Sequence, residues 1–125
     1  MADPTVPESH ADLLEASLAT IATVGRDGLP QLSTVWFLED DGKVRVSLST
    51  ERQKTKNLIA NPAVGVHIQD TVNPVRYLEL RGTAHIEPDP DYDFANRIGA
   101  KYGVEDIRAF DGGKGTRVVV TIEPK

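Results

Sequence analysis

The most informative segment of this sequence is Val46-Ser-Leu-Ser-Thr50-Glu-Arg52-Gln-Lys54-Thr-Lys56-Asn-Leu-Ile-Ala-Asn-Pro62, in which a β-strand runs directly into a helix. Thr50 and Gln53 have the spacing of a capping box, which predicts that the helix begins at Thr50. Proline disfavours helical geometry in the residue before it, so the helix should end at Asn61.

Three cations, Arg52, Lys54 and Lys56, occupy the first turns of this helix. Exposed cations there oppose the helix dipole at a cost of ~0.3–1 kcal/mol each, and a bound phosphate would reverse that penalty. The alternative is a solvated face, the common role of lysine and arginine on a short exposed helix. Positions two residues apart do not share a helical face, although a ligand above the helix end can be reached from several directions. The residues alone leave both interpretations open.

The length of 125 residues predicts a single domain. Residues 1–8 contain two prolines and two acids, which is typical of a loose tail, so the domain should cover residues 9–125. Ser9-His-Ala-Asp12 resembles the cap of a short helix that continues to Ser17. No signal-like segment and no stretch of the ~20 apolar residues that span a bilayer is present, so we expect a cytoplasmic protein.

Six segments have the composition and alternation of β-strands. They cover residues 18–24, 31–38, 43–48, 63–68, 76–86 and 116–122. Asp27-Gly28 and Asp41-Gly42 predict antiparallel hairpins between the first three. A helix should begin at Asp89-Pro90 and stop at Gly103, and residues 104–115 form either a lid or a connection. The pattern favours a mainly β fold, a small antiparallel barrel without an exposed sheet edge.

Several chemistries are excluded or disfavoured by composition. A net charge of −5 argues against nucleic-acid binding, and without cysteines no disulfide or thiolate nucleophile exists. His10, His67 and His85 lie on separate elements, so we expect no metal site. Gly-x-Ser-x-Gly, dinucleotide and Walker motifs are absent, and we assign no catalytic side chain. Any reaction would therefore depend on an imported cofactor, which the protein binds and orients.

An ordered set of short motifs carries a family resemblance over residues 10–122. The motifs are Leu18-Ala-Thr-Ile-Ala-Thr23, Asp27-Gly-Leu-Pro30, Val35-Trp-Phe37, Arg52-Gln-Lys-Thr-Lys-Asn-Leu58, Asn61-Pro62 and Tyr77-Leu-Glu-Leu-Arg-Gly-Thr-Ala84. In this order they resemble the pyridoxamine-phosphate-oxidase-like split barrels. Within these, the chain is most similar to the short actinobacterial flavin/deazaflavin oxidoreductases that use coenzyme F420. The resemblance implies a six-stranded antiparallel split β-barrel, the FMN-binding split barrel, with short flanking helices.

The resemblance also implies where the cofactor binds, with its phosphate at the strand-to-helix junction and its ring along the second strand. The implied phosphate positions are Ser49, Thr50, Arg52, Gln53 and Lys54, with Lys56 and Asn57 nearby, and the ring positions are Ser33, Thr34, Val35 and Trp36. Trp36 is alternatively a core or dimer-interface anchor, the interpretation that we favour over ring stacking.

Proteins of the resembled family are homodimers whose cofactor sites form between subunits. The resemblance therefore implies that Tyr77, Glu79 and Arg81 of a second copy line the ring or substrate pocket. These side chains, with Thr83 and His85, point to one side of a strand, which is equally typical of a solvated face. No nucleic acid or membrane partner is expected.

The segment Arg117-Val-Val-Val-Thr-Ile-Glu-Pro-Lys125 shows no counterpart of the arginine and histidine region with which pyridoxamine phosphate oxidases bind their substrate. The resemblance thus implies an F420-dependent oxidoreductase that transfers a hydride from reduced deazaflavin to a small conjugated or planar acceptor, rather than vitamin B6 oxidation. Two alternatives remain open: an FMN-dependent oxidase or reductase, and a noncatalytic flavin or deazaflavin carrier.

Overall fold

The computed structural model describes residues 6–113 and 115–125. The strands are β1 (Ala19–Val24), β2 (Pro30–Val35), β3 (Leu38–Asp40), β4 (Lys43–Ser49), β5 (Ala63–Gln69), β6 (Tyr77–Pro88) and β7 (Arg117–Pro124). The helices are a 3-10 helix (Glu8–Glu15), α1 (Gln53–Ala60), α2 (Asp93–Lys101) and α3 (Ile107–Phe110).

The strands form one antiparallel sheet in the order β2-β1-β5-β6-β7-β4-β3. Within the described residues, β2 and β3 are the end strands, although only Trp36 and Phe37 separate them in sequence. The chain therefore passes from one end of the sheet to the other, and the sheet curls into a split barrel. The predicted mainly β, antiparallel split-barrel fold is confirmed.

The second predicted strand, residues 31–38, is divided in the structure, so the sheet has seven strands rather than six. The division falls beside Phe37, whose side chain is buried in the core and whose amide donates to the Tyr102 hydroxyl at 3.1 Å. The expectation of a barrel without edges was wrong, because no ladder joins β2 to β3 in the part of the chain described.

The core lies on the inner face of the sheet, because buried and partly exposed residues alternate along the strands. Val44, Val46 and Leu48 of β4 are buried, and the residues between them face outward. A second, smaller apolar cluster lies under α2 and α3. Its members are Tyr92, Ala95 and Ile107, with Trp36 and Val104 packed against them.

The start of α1 differs from the prediction. The helix begins at Gln53 rather than Thr50, and no side chain caps its N-terminus. The Thr50 hydroxyl instead lies 3.2 Å from the carbonyl oxygen and 3.0 Å from the hydroxyl of Thr116, so the capping-box prediction was wrong. The predicted end of the helix before Pro62 is confirmed.

The start of α2 is also displaced, to Asp93 instead of Asp89-Pro90. Asp89 is buried, and its carboxylate accepts hydrogen bonds from the amides of Phe94 at 3.2 Å and Ala95 at 2.9 Å. It thereby satisfies the first amides of α2 from a position upstream of the helix. Gly103, with φ of +78°, follows the helix as predicted.

Two segments outside the sheet differ locally from what the sequence pattern indicated. Val6 is buried in the core and Glu8 begins the 3-10 helix, so residues 6–8 join the folded domain rather than the expected tail. Residues 1–5 of that tail lie outside the described residues. The segment 104–115 contains α3, which the sequence pattern did not indicate.

In the part of the chain that the structure describes, no helix has the length and apolar character needed to cross a bilayer.

Candidate functional site

A cavity of about 350 Å³ lies where β4 gives way to α1. It is bounded by the end of β2, the junction itself, the helices α2 and α3, and the first residue of β7. The lining residues are Thr34, Val35, Trp36, Ser47, Leu48, Ser49, Arg52, Lys54, Ile98, Ile107, Phe110 and Arg117. Its volume falls within the range of small-molecule sites.

One wall of the cavity is apolar and partly aromatic. Trp36 stacks on Tyr102 with ring centroids 4.3 Å apart and an interplanar angle of 7°. The Phe110 ring lies 6.0 Å from Trp36, and this side chain is 65% exposed. Trp36 therefore both packs against Tyr102 and lines the cavity. The wall offers flat apolar surface to an occupant.

A second wall carries the cations Arg52 and Lys54 at the start of α1. The first amides of an α-helix lack the usual acceptor four residues back. Here the Thr55 amide donates to the Arg52 carbonyl oxygen at 3.1 Å, and no side chain caps the helix N-terminus. Neither cation joins an ion pair within residues 6–113 and 115–125. Burial, and then the charge of Arg52, hold the pKa of Lys54 below its ordinary value. An anion in the cavity would relieve this destabilisation of the charged lysine.

Ser47 also lines the cavity. Its Oγ is buried and has no hydrogen-bond partner among the described residues. Leaving a buried polar group without a partner costs about 1–3 kcal/mol, and Ser33 Oγ is in the same state outside the cavity. Cations, helix amides without a side-chain cap and a flat apolar wall together fit a flavin-type cofactor, which combines a phosphate and a planar ring.

Arg117 holds the α3 side of the cavity to the sheet. Its guanidinium pairs with Asp111 through Nε–Oδ2 at 2.8 Å and Nη2–Oδ1 at 2.5 Å, and donates to the Ser47 carbonyl oxygen at 3.2 Å. The Arg117 and Asp111 side chains are only 15% and 10% exposed. The guanidinium holds the pKa of the Asp111 carboxyl below its ordinary value. Because Asp111 neutralises Arg117, Arg52 and Lys54 are the cations left to meet an anionic ligand.

Six of the predicted cofactor-binding positions, from two separate segments of the sequence, line this cavity. They are Thr34, Val35 and Trp36 from the ring segment and Ser49, Arg52 and Lys54 from the phosphate segment. Thr50, next to Ser49, bonds Thr116 and does not line the cavity. Residues predicted to bind the ring and residues predicted to bind the phosphate therefore line the same cavity.

Three predicted positions on α1 lie away from this cavity. Lys56 is exposed to solvent. The Asn57 amide nitrogen donates to Thr23 Oγ1 at 3.0 Å and to Gln31 Oε1 at 2.8 Å, while Gln53 Nε2 donates to Asn57 Oδ1 at 2.9 Å. Gln53 and Asn57 therefore hold α1 against β1 and β2.

The remaining predicted positions, Ser33, Tyr77 and Arg81, also lie outside the cavity lining. Ser33 Oγ is buried without a partner among the described residues. Tyr77 stacks on His67 with ring centroids 4.9 Å apart, and Arg81 is exposed on the same strand. Tyr77 and Arg81 were expected to act from a second copy, so their roles stay predictions.

The family model described as pyridoxamine 5'-phosphate oxidase matches residues 6–125. The chain belongs to this family. A solved structure of an F420 reductase is 36% identical, has a TM-score of 0.83, and is matched over 96% of each chain. This family member is therefore similar to flavin and deazaflavin oxidoreductases.

Two more distant structures share the fold of this pyridoxamine 5'-phosphate oxidase family member. A conserved hypothetical protein from Mycobacterium tuberculosis is 23% identical, with a TM-score of 0.76 over 100% of this chain and 86% of the other. A protein from Listeria innocua, described as a putative pyridoxamine 5'-phosphate oxidase, is 24% identical, with a TM-score of 0.68 over 91% and 89%. At these identities the likeness shows the fold alone.

Sequence reasoning missed half of the cavity lining in this family member. The missed residues are Ser47, Leu48, Ile98, Ile107, Phe110 and Arg117. The sequence could have indicated Ser47, because residues two apart on a strand share a face and Ser49 had been predicted to bind the cofactor. Arg117 reaches the site through a contact with Ser47, 70 residues away in sequence, which no local pattern reveals.

Proposed function

We propose that this chain is an F420-dependent oxidoreductase that transfers a hydride from reduced deazaflavin to a small conjugated or planar organic acceptor. The observation that carries the proposal is the single cavity in which the cations of α1 face the aromatic wall around Trp36. The similarity to an F420 reductase supports the deazaflavin over FMN.

The chain's own residues would bind and orient the cofactor. Lys54, Arg52 and the open amides of α1 suit the phosphate, because helix N-termini and cations both favour negative charge. Thr34, Val35 and Trp36 border the space for the ring, and Ser47 lines the same cavity. These groups fix the position of the ring relative to the acceptor.

The cofactor, when bound, would supply the hydride-transfer chemistry. The titratable residues that line the cavity are Arg52, Lys54 and Arg117, all cationic at neutral pH. None of them is suited to act as a general base. The protein's contribution is therefore to hold two planar partners in contact, with the final proton drawn from solvent or a weakly placed polar group.

The experiment is a fluorescence titration of the purified chain with F420 and with FMN, followed by oxidation of reduced F420 by a panel of quinone and nitroaromatic acceptors. We expect F420 to bind at least about tenfold more tightly than FMN, and turnover with one or more acceptors. A chain that purifies yellow and prefers FMN would instead be an FMN enzyme. Tight F420 binding without turnover of any acceptor would identify a carrier.

We also propose that two copies form a homodimer through the outer face of β1, β2 and β5. Leu32 is 66% exposed there and lies opposite Ala22, which in turn lies opposite Gly65, so a row of apolar and small residues crosses the outward face. Such surfaces commonly mark protein contacts. Light scattering should give twice the 13.6 kDa of one chain, and Leu32→Glu should return the mass to that of the monomer. A wild-type monomer would contradict this proposal.

A further inference from the structure

The end of α2 meets the chain where it crosses from β2 to β3. Only Trp36 and Phe37 lie in this crossing, and neither takes part in a strand ladder within the described residues. The sheet therefore does not hold the backbone of the crossing, although Trp36 lines the candidate cofactor site. Contacts from outside the sheet determine its position.

The hydroxyl of Tyr102 makes such contacts. It accepts a hydrogen bond from the Phe37 amide at 3.1 Å and donates to the carbonyl oxygen of Ser17, which follows the 3-10 helix. Burial raises the pKa of this hydroxyl above its ordinary value, so it stays protonated at neutral pH and remains a donor. One side chain thereby joins the end of α2, the crossing and the N-terminal segment.

The ring of Tyr102 lies flat against the indole of Trp36. Their centroids are 4.3 Å apart and their planes differ by 7°, whereas the Phe110 ring is 6.0 Å from Trp36 and tilted by 40°. The Phe110 side chain is also largely exposed, so it restricts the indole less. Aromatic pairs at the shorter distance attract each other beyond the area that they bury. Tyr102 therefore holds both the backbone beside Trp36 and the plane of its side chain.

The backbone of Tyr102 is fixed in turn by a tight return of the chain. Its amide donates to the Gly99 carbonyl oxygen at 2.9 Å, and the Val104 amide donates to the same oxygen at 2.9 Å. Between them, Gly103 has a φ of +78°, which suits glycine. A Cβ on Gly99 would lie 2.6 Å from the Val104 carbonyl oxygen, so the returning chain packs directly on the helix. Tyr102 thus has a rigid base from which to hold Trp36.

We propose that Tyr102 is a positioning residue of the cofactor site, which fixes the indole of Trp36 in the orientation that a planar cofactor ring meets. Tyr102 does not line the cavity, so it acts through Trp36 rather than on the ligand. Without it, the indole would spread over about three χ1 wells, each with two broad χ2 orientations. Apparent affinity falls with the fraction of competent conformers, so cofactor binding should weaken between about threefold and sixfold, a consequence that rests on the proposed function.

The first test follows the mobility of the indole in the chain without cofactor. Trp36 is the only tryptophan, so its fluorescence anisotropy decay reports on this side chain alone. We expect no local rotation on the nanosecond timescale in wild type or in Tyr102→Phe, which keeps the ring, and a fast component in Tyr102→Leu. Lys101→Met is the matched control and should behave like wild type. Lys101 binds the same crossing, through the Phe37 carbonyl oxygen at 2.8 Å, but its amine lies over the Phe37 ring.

Three results of this measurement would overturn the proposal. They are a rigid indole in Tyr102→Leu, equal mobility in Lys101→Met, and release of the indole by Phe110→Ala instead. A mobile indole in folded wild type would also overturn it, even if the leucine variant failed to fold.

The second test measures the Kd for F420 of the same variants. Tyr102→Leu should raise it between about threefold and sixfold, whereas Tyr102→Phe and Lys101→Met should stay close to wild type. A leucine variant with a mobile indole but a wild-type Kd would overturn the link between Trp36 and binding, and would leave the proposed function standing. Absence of F420 binding by wild type would defeat the proposed function, and the anisotropy decay would then decide by itself whether Tyr102 holds Trp36.

Discussion

Replacement of Gly82 by alanine should lower the free energy of unfolding by about 2–3 kcal/mol, the upper range for overpacking a close contact. An alanine Cβ at this position would lie 1.9 Å from the carbonyl oxygen of Glu123 and 3.0 Å from the Cα of Pro124. Both are backbone atoms of β7, so no side-chain rotation relieves the clash. The last residues of β7 must separate from β6, and their ladder is lost. Denaturant unfolding monitored by Trp36 fluorescence measures the change.

Gly65 provides a matched control on the neighbouring strand. An alanine Cβ there would meet only the Ala22 Cβ at 3.7 Å and the Leu80 carbonyl oxygen at 3.9 Å, which are ordinary contacts. Measured in the Leu32→Glu background, in which no contact between copies contributes, Gly65→Ala should leave stability unchanged or raise it by up to about 1 kcal/mol, because alanine loses less backbone entropy on folding. Equal destabilisation by the two substitutions, measured at one protein concentration, would show that the close approach of β7 is not the cause.

Replacement of Asp111 by asparagine should cost about 3 kcal/mol, the lower end of the range for breaking a buried ion pair. The substitution leaves the Arg117 charge without its carboxylate in a setting where both side chains are largely shielded. Because this pair ties the α3 segment to β7, the wall formed by Ile107 and Phe110 should loosen as well. Glu105→Gln, in the same segment but on an exposed side chain, should change stability by less than about 0.5 kcal/mol.

The pH dependence of this effect follows from the pKa of Asp111. Arg117 holds that pKa below the ordinary value of 3.8, so the unfolded chain binds the proton more readily than the folded chain. The stabilisation is therefore fully present above about pH 4 and is lost as the pH falls through the folded-state pKa. The stability difference between wild type and Asp111→Asn should shrink over that acidic range. A difference that is constant between pH 3 and pH 7 would contradict the assignment to this carboxylate.

The sequence predicted the strands well because their inner faces alternate with a period of two, a signal that each segment carries within itself. It predicted the position of β4 from this alternation, and the end of α1 from the steric effect of Pro62 on the residue before it, which is also a local signal. The start of α1 was mispredicted, because the Thr50 hydroxyl bonds to Thr116, the residue before β7, which is 66 positions away in sequence. A local capping pattern gives no information about such a competitor.

The candidate site likewise contains residues that local patterns predict and residues that they do not. The α1 cations and the β2 segment carry local signals, and both line the cavity. Asn57 carried the same polar signal, yet its amide serves packing between α1 and β1. Ile107 and Phe110 belong to a helix of four residues, too short for a periodic pattern, and their position depends on the Asp111–Arg117 pair. What the sequence could not supply is the set of contacts made across the fold.

The central claim is that an anionic cofactor group binds where β4 meets α1, and the most direct test is the ratio of F420 affinities of Lys54→Ala and Lys56→Ala. The two lysines lie on the same short helix and carry the same charge, but only Lys54 lines the cavity. Loss of a charge-assisted hydrogen bond should weaken binding about 10- to 100-fold for Lys54→Ala, whereas Lys56→Ala should stay within about twofold of wild type. Equal affinities for the two variants would place the phosphate elsewhere and contradict the account.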